Sequence, residues 1–334
     1  MRLFAGVENF RPDPAHPLVL GLGNFDGLHR GHKALLRYVT RSANRQRARS
    51  AVITFREHPQ QVLHPGASSG LLTSLPHKLF LLEKSGIDLC FLMPFTRDFS
   101  KIEPREFVKK ILVERLQIRE ISLGASSRFG HDRRGDNRLM QELAQEFGFR
   151  FQSMEGVQVG DEMVSSSRIR KLIEAGNLSE AQACLGHRFS IFAKVVKGQG
   201  RGRVIGYPTA NLDSTGLVMP PEGVYAVTVR EVAVKPKIFN SKGVQEFHAE
   251  PKRPGHRGVL NYGRRPTFPS AVKNPVAEVF LFGSPGDLYG KILEVAFHIR
   301  LRPEKIFKEP DALRRQIEWD VARAKAFFKN SDTR

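Results

Sequence analysis

The stretch Val19-Leu20-Gly21-Leu22-Gly23-Asn24-Phe25-Asp26-Gly27-Leu28-His29-Arg30-Gly31-His32-Lys33-Ala34-Leu35-Leu36 decides how this chain is read. Leu18, Val19 and Leu20 form a short apolar run of the kind that makes a buried strand. Gly21, Gly23, Asn24, Asp26 and Gly27 then mark a turn. Leu35, Leu36 and Val39 follow at helical spacing. A strand, a glycine-rich turn and a helix, in that order, bring backbone N–H groups and a helix N-terminus to where a phosphate can sit. His29 and His32 flank Gly31 at the helix entrance, and three-residue spacing on a helical turn lets both rings face one ligand. A surface turn with two solvated histidines also fits the spacing, since short motifs misfire. The string Gly23 to Gly27 directly before them argues against it.

Around this stretch, strand and helix patterns alternate. Strands are predicted at 51–55, 87–93, 120–124 and 149–154, and helices at 76–85, 104–116 and 137–148. That alternation argues a doubly wound parallel sheet, with ligands at the carboxyl ends of the strands. The run Ser165-Ser166-Ser167-Arg168-Ile169-Arg170 opens a further helix. Serines there are ordinary N-caps, but hydroxyls and arginines at a helix start also make a second phosphate site. A short helix at 179–185 ends at Gly186.

Beyond Gly186 the period changes. Phe189, Ile191, Ala193 and Val195 alternate, and strand candidates recur at 224–229, 257–260, 276–282 and 292–299 without helices between them. Short strands separated by turns argue a β-barrel, so the expected domains are 1–186 and 187–334. A closing helix from Asp311 carries Leu313, Ile317, Val321, Ala324 and Phe328 on one face. In the barrel half, Gly198-Gln199-Gly200-Arg201-Gly202 could wrap phosphates through N–H groups and guanidinium. Thr209 and Asn211 offer neutral oxygens suited to a hard cation such as Mg²⁺. Glu278, in mid-strand, is by alternation a solvent-facing carboxylate, or a general base if it faces a ligand cavity.

Composition sets outer bounds. The chain has 334 residues and a formal net charge of +19, which suits anionic ligands, nucleotides or nucleic acid. The basic residues are scattered, and no run of apolar residues approaches a membrane span. The N-terminus lacks the apolar core of a secretory signal. Cys90 and Cys184, each in an apolar segment, indicate buried thiols in a reducing, cytoplasmic setting.

Ordered motifs add a resemblance. His29-x-Gly31-His32 after such a strand resembles the signature of the nucleotidyltransferases. With Thr54-Phe55, His58-Pro59, Arg128-Phe129-Gly130 and Ser165-Ser166-x-Arg168-Ile169-Arg170, it resembles the first half of the bacterial bifunctional riboflavin kinase / FAD synthetases. The second half resembles the same family through Arg201-Gly202, Gly206-x-Pro208-Thr209-Ala210-Asn211, Gly223-Val224-Tyr225, Asn261-x-Gly263-x-Arg265-Pro266-Thr267-Phe268, Glu278, Tyr289-Gly290 and Arg302-x-Glu304-x-x-Phe307. The resemblance implies an α/β nucleotidyltransferase domain followed by a riboflavin kinase barrel. The barrel would phosphorylate riboflavin to FMN with ATP and Mg²⁺, and the first domain would adenylylate FMN to FAD, releasing pyrophosphate.

It implies catalytic roles for His29, His32, Arg168 and Glu278. It implies ligand-binding roles for Gly21, Asn24, Phe25, Asp26, Gly31, His58, Arg128, Ser165, Ser166, Ser167, Gly198, Arg201, Gly202, Pro208, Thr209 and Asn211, with Thr209 and Asn211 also holding the metal. The implied partners are the small molecules ATP, riboflavin and FMN rather than a membrane or nucleic acid; a homo-oligomer is left open.

The sequence departs from the family at Arg56, Glu57, Leu71, Ser126 and Ser127, all in the first half. A kinase with weak, altered or lost adenylyltransferase activity is therefore the alternative, and a flavin- or RNA-binding regulator the remote one. Extra residues around Pro236 to Pro254 read as a long surface hairpin.

Overall fold

The structure is a computed structural model and describes residues 1–64, 66, 70–198, 206–235, 243–252, 254–264, 275–283, 286–307 and 309–332. Arg201, Gly202 and the stretch 265–268, all named above, lie outside these residues. The described chain divides into two compact units. One comprises 1–71, 75–166 and 234–249, and the other 72–74, 167–233 and 250–334.

The first unit is built on a seven-stranded sheet. Its strands are β1 (Arg2–Ala5), β2 (Leu18–Leu22), β3 (Arg49–Phe55), β4 (Leu89–Met93), β5 (Ile118–Gly124), β6 (Arg150–Met154) and, from far along the chain, β12 (Val244–Glu246). They lie in the order β12-β1-β4-β3-β2-β5-β6. All neighbours run parallel except β12, which pairs antiparallel with β1. The helices are α1 (Arg30–Arg45), α2 (Pro59–Leu63), α3 (Leu75–Lys84), α4 (Pro104–Glu106) and α5 (Asn137–Phe147).

Each β-α-β step follows from the period change seen in the sequence. Leu35, Leu36, Val39 and Ala43 make the buried stripe of α1, and Met140, Leu143 and Ala144 that of α5. The β2 and β4 strands are buried along their whole length, as strands covered on both faces must be. Gly21 lies inside β2, where an added Cβ would come within 2.8 Å of Leu35 Cδ2, so its smallness lets α1 pack on the strand. Asp136 caps α5, its carboxylate accepting from Leu139 N at 3.0 Å, and Gly148 ends the helix in the left-handed conformation.

Two expected elements take a different form from the sequence reading. The helix expected at 104–116 runs as one α turn and then as a π-helix over Phe107–Arg115, with Leu116 N bonded to Ile111 O five residues back. The wider winding still turns Phe107, Val108 and Leu112 into the core. The segment expected as a long surface hairpin lies partly outside the described residues, at 236–242 and 253, and its described part Val244–Glu246 extends the first sheet. Phe247 beside it is 1% exposed, and its N–H donates to Met1 O at 2.9 Å. Glu83 Oε2 accepts from Ala249 N at 3.1 Å. Burial of one aromatic side chain and a short ladder hold the segment down.

Two further short strands, β7 (Gln158–Val159) and β8 (Glu162–Met163), form a separate ribbon. The helices α6 (Ser166–Glu174) and α7 (Leu178–Leu185) follow.

The second unit is an antiparallel barrel. Its strands are β9 (Ser190–Val196), β10 (Thr209–Asp213), β11 (Gly223–Lys235), β13 (His248–Pro251), β14 (His256–Gly263), β15 (Val276–Leu281) and β16 (Ile292–Pro303). The order β11-β14-β15-β10-β9-β16 closes because β16 returns to pair with β11. The lumen is filled by Tyr225, Val227, Leu260, Val279, Val295 and Phe297, all buried. Tyr225 sets its ring edge-on to Phe297 at 5.5 Å and donates its hydroxyl to Pro221 O. The closing helix α8 (Pro310–Asp332) lays Ala324 and Phe328 over Val224, Ala226 and Leu301 on the outer wall. Asp320 sits on that apolar face because Arg302 meets it there, at 2.8 Å.

Candidate active sites

In the first unit the strand order reverses between β2 and β5, and a crevice for a ligand opens at the carboxyl ends of the strands at such a reversal. The loop from Gly23 to His29 leaves β2 at that end. It is tightly held: Thr54 Oγ1, near the end of β3, donates to Asn24 O at 3.2 Å, and Ser166 Oγ donates to Asp26 O at 3.0 Å. Phe25 is fully buried and adopts φ +53°, a left-handed conformation unusual for a side chain of its size. Its ring meets His32 edge-on, centroids 5.3 Å apart.

His29 caps α1, its Nδ1 accepting from His32 N at 3.3 Å. The two imidazoles stack at 3.7 Å with planes 17° apart. A Cβ at position 31 would press on the His29 ring at 3.2 Å, so Gly31 allows the stack. Burial pushes the His29 pKa down to about 4, against the opposing pull of Asp26. Burial also holds His32 well below the ordinary range, helped by the charges of His29 and Lys78. Both rings are therefore neutral near pH 7, each with one N–H to donate. His32 Nδ1 and Asn24 Oδ1 are buried without a hydrogen-bond partner among the described residues. Buried polar atoms are seldom left so, and two of them beside one loop fit a site that a polar ligand completes.

Other residues singled out from the sequence are placed less centrally. His58 caps α2, its Nδ1 accepting from Gln60 N at 3.3 Å. Arg128 is exposed on the loop after β5, its guanidinium donating to Ser127 O at 3.1 Å. Ser165 is exposed. Ser167 and Arg168 fall in the second unit, where Arg168 is bound to Glu180 at 2.6 Å. Among the departures, Glu57 accepts from Phe95 N at 2.9 Å, Ser127 N donates to Gly124 O at 3.0 Å in a turn, and Ser126 is exposed. One residue that the pattern passes over stands out: Lys78, on α3, is buried and donates Nζ to Phe55 O at 2.6 Å. The available signal was a lysine between Pro76, Leu79, Phe80 and Leu82 in an otherwise apolar turn.

In the barrel, strand register does the assembling. Asn211 on β10 pairs with Glu278 on β15, and Glu278 pairs with Asn261 on β14. Directly opposed residues have Cβ atoms about 5 Å apart, so these three side chains form one row. Thr209 lies two residues along β10 on the same face. Since Ala277, Val279 and Leu281 fill the lumen, the row stands on the outer wall, with Glu278 half-buried. Gly198 closes on this row: a Cβ there would overlap the Asn211 amide. Pro208 sits just before β10, and the Tyr207 ring meets Phe280 edge-on at 5.2 Å. Asn261 was not among the site residues expected from the sequence, because only the pairing of distant strands brings it beside Glu278.

Comparison with known proteins gives these two sites a context. A family model described as FAD synthetase matches residues 12–168, and one described as riboflavin kinase matches residues 185–328. A bifunctional riboflavin kinase/FMN adenylyltransferase of Escherichia coli (strain K12) is 33% identical over 328 residues, covering 98% of each chain. The chain belongs to the bifunctional riboflavin kinase/FMN adenylyltransferase family. A member from Haemophilus influenzae is 33% identical over 330 residues, covering 99% of this chain and 100% of that one. One from Pseudomonas fluorescens is 32% identical over 326 residues, covering 98% and 97%. A solved structure described as a macrolide-efflux protein from Streptococcus pneumoniae superposes with a TM-score of 0.75 at 26% identity, covering 95% of this chain and 96% of that one. Among the described residues, no helix is long and apolar enough to cross a membrane. Both halves of the family, the nucleotidyltransferase and the kinase, are present in this one chain.

Proposed function

We propose that the barrel transfers the γ-phosphoryl group of ATP to riboflavin and that the α/β unit transfers the adenylyl group of a second ATP to the resulting FMN. The observation that carries the second assignment is the stacked pair of buried, neutral histidines at the β2–α1 turn. In adenylyl transfer an FMN phosphate oxygen attacks the α-phosphorus, and the bond to the β-phosphate oxygen breaks. Negative charge grows on the non-bridging oxygens and on the departing pyrophosphate. Neutral imidazole N–H groups fixed by stacking and capping can donate to that charge with little reorganisation. The N-terminus of α1 adds its partial positive charge.

In the barrel, the row Asn211–Glu278–Asn261 supports a kinase site on the outer wall. Glu278 takes the proton of the attacking riboflavin hydroxyl as the new bond to the γ-phosphorus forms and ADP departs. Thr209 and Asn211 offer neutral oxygens to Mg²⁺, which supplies charge neutralisation to the phosphates when bound. Among the described residues no group of three His, Cys, Asp or Glu side chains could hold a metal. Thr209 and Asn211 would hold such a cation through their neutral oxygens, with nucleotide phosphates and water completing its shell. Cys90 and Cys184, both buried, support a cytoplasmic setting, and the change of period at Gly186 supports a domain boundary there.

Incubation with riboflavin, ATP and Mg²⁺ should give FMN and then FAD, resolved by chromatography. Folded protein that makes neither product overturns the reading. His29→Ala or His32→Ala should remove FAD formation and spare FMN formation. Loss of one preorganised donor typically costs about 10²–10³-fold in rate.

A further inference from the structure

The α3 helix brings a positive charge into the interior of the first unit. Lys78 is 7% exposed, and its only hydrogen-bond acceptor among the described residues is the carbonyl of Phe55, the last residue of β3. An ammonium group has three N–H donors, so two are left over. Among the described residues no carboxylate lies within ion-pair distance of Nζ. A buried charge without a partner is costly and is normally paired or neutralised. The groups close enough to act on it by charge are Asp26 in the β2–α1 loop, Glu57 just past β3 and Cys90 on β4, and its own charge acts on His32 on α1. The ammonium therefore belongs to the same neighbourhood as the histidine pair, at the carboxyl end of the sheet. It shares that neighbourhood with the two unsatisfied atoms, His32 Nδ1 and Asn24 Oδ1.

We propose that Lys78 is a phosphate ligand of the adenylyl-transfer site, its unpaired ammonium receiving its counter-charge from the phosphates of ATP. The inference rests on the reading of the histidine pair as that site. Helix α3 bears an interior cation because the substrate, not the protein, supplies the anion. Burial brings the Lys78 pKa down to about 8, with Asp26, Cys90 and Glu57 opposing. The free site is thus charged below that pH and loses its charge above it.

The test uses the full chain and follows FAD formation from supplied FMN, with riboflavin phosphorylation as the internal control. Lys78→Met keeps the length and apolar stem and removes the charge. It should lower kcat/KM for ATP in FAD formation by about 10- to 100-fold, the range for a hydrogen bond to a charged group. It should leave riboflavin phosphorylation unchanged. Its thermal midpoint should be equal to or above that of the wild type, since an uncompensated buried charge has gone. In the wild type, kcat/KM for ATP should decline as pH rises through about 8. In Lys78→Arg, whose guanidinium stays protonated, that limb should be absent.

The proposal is overturned if Lys78→Met keeps FAD formation within twofold of wild type. It is also overturned if that variant loses stability together with activity, as a purely structural lysine would, or if the alkaline limb persists in Lys78→Arg. His29→Ala separates the two readings. If that variant still makes FAD, the site itself is misassigned; if it does not while Lys78→Met does, only the role of Lys78 falls.

Discussion

Burial keeps His29 and His32 neutral, and this has a consequence for stability. An unfolded histidine binds a proton near pH 6.5, whereas folded His29 binds one only near 4. Between those values the unfolded chain holds more protons, so stability falls as pH drops through the window. His298, in the barrel, is also pushed down to about 4, by burial first and then by the charges of Arg188 and Arg257. Both units should therefore lose stability from below about pH 6.5, by on the order of 1–3 kcal/mol for buried His29 at pH 4.5 and by less for the partly solvated His298. Denaturant midpoints that stay flat between pH 7 and about 5 would show that the rings take up protons in the folded chain. At Glu278 the expected outcome is catalytic. Glu278→Gln preserves size and hydrogen bonding but not the base, so FMN formation should fall about 10²–10⁴-fold while FAD formation from supplied FMN persists. Turnover above half of the wild type would leave Glu278 as an ordinary strand carboxylate.

The contact between α1 and β2 sets the position of the histidine turn. Gly21 is what lets them approach, with Leu35 and Val39 against the place its side chain would occupy. Gly21→Val should force the helix outward and destabilise the first unit by about 1–3 kcal/mol. A lowered first transition on heating, with FAD formation lost before FMN formation, is the expected signature. An unchanged melt would mean that Leu35 simply swings aside. The elements themselves were largely legible, because the patterns at α1, α5 and the fully buried β2 and β4 are strong and local. The missed or altered ones had weak local signals. The β1 strand has only four residues, and β12 is a three-residue piece carrying Gln245 and Glu246. The π winding of Phe107–Arg115 leaves the same apolar residues inward as an α-helix would, so periodicity does not reveal it.

Across the whole molecule, the motifs point to both candidate sites, but how the fold assembles them was legible only in part. The histidine turn is contiguous in sequence and could be read directly. The barrel row needs β10, β14 and β15 in register, and Lys78 needs α3 docked beside β3; neither follows from local pattern. A lone lysine in a helix ordinarily signals a solvated face, and only burial reverses that meaning. The β12 strand carries a different kind of non-locality. A ribosome adds roughly 5–20 residues per second, so Val244–Glu246 emerges on the order of ten to fifty seconds after β1. For that interval the nascent sheet shows an open edge with unpaired N–H and C=O groups, the feature through which strands of different chains adhere. The half of the enzyme that begins to fold first thus waits for a strand made only after much of the second half has been synthesised.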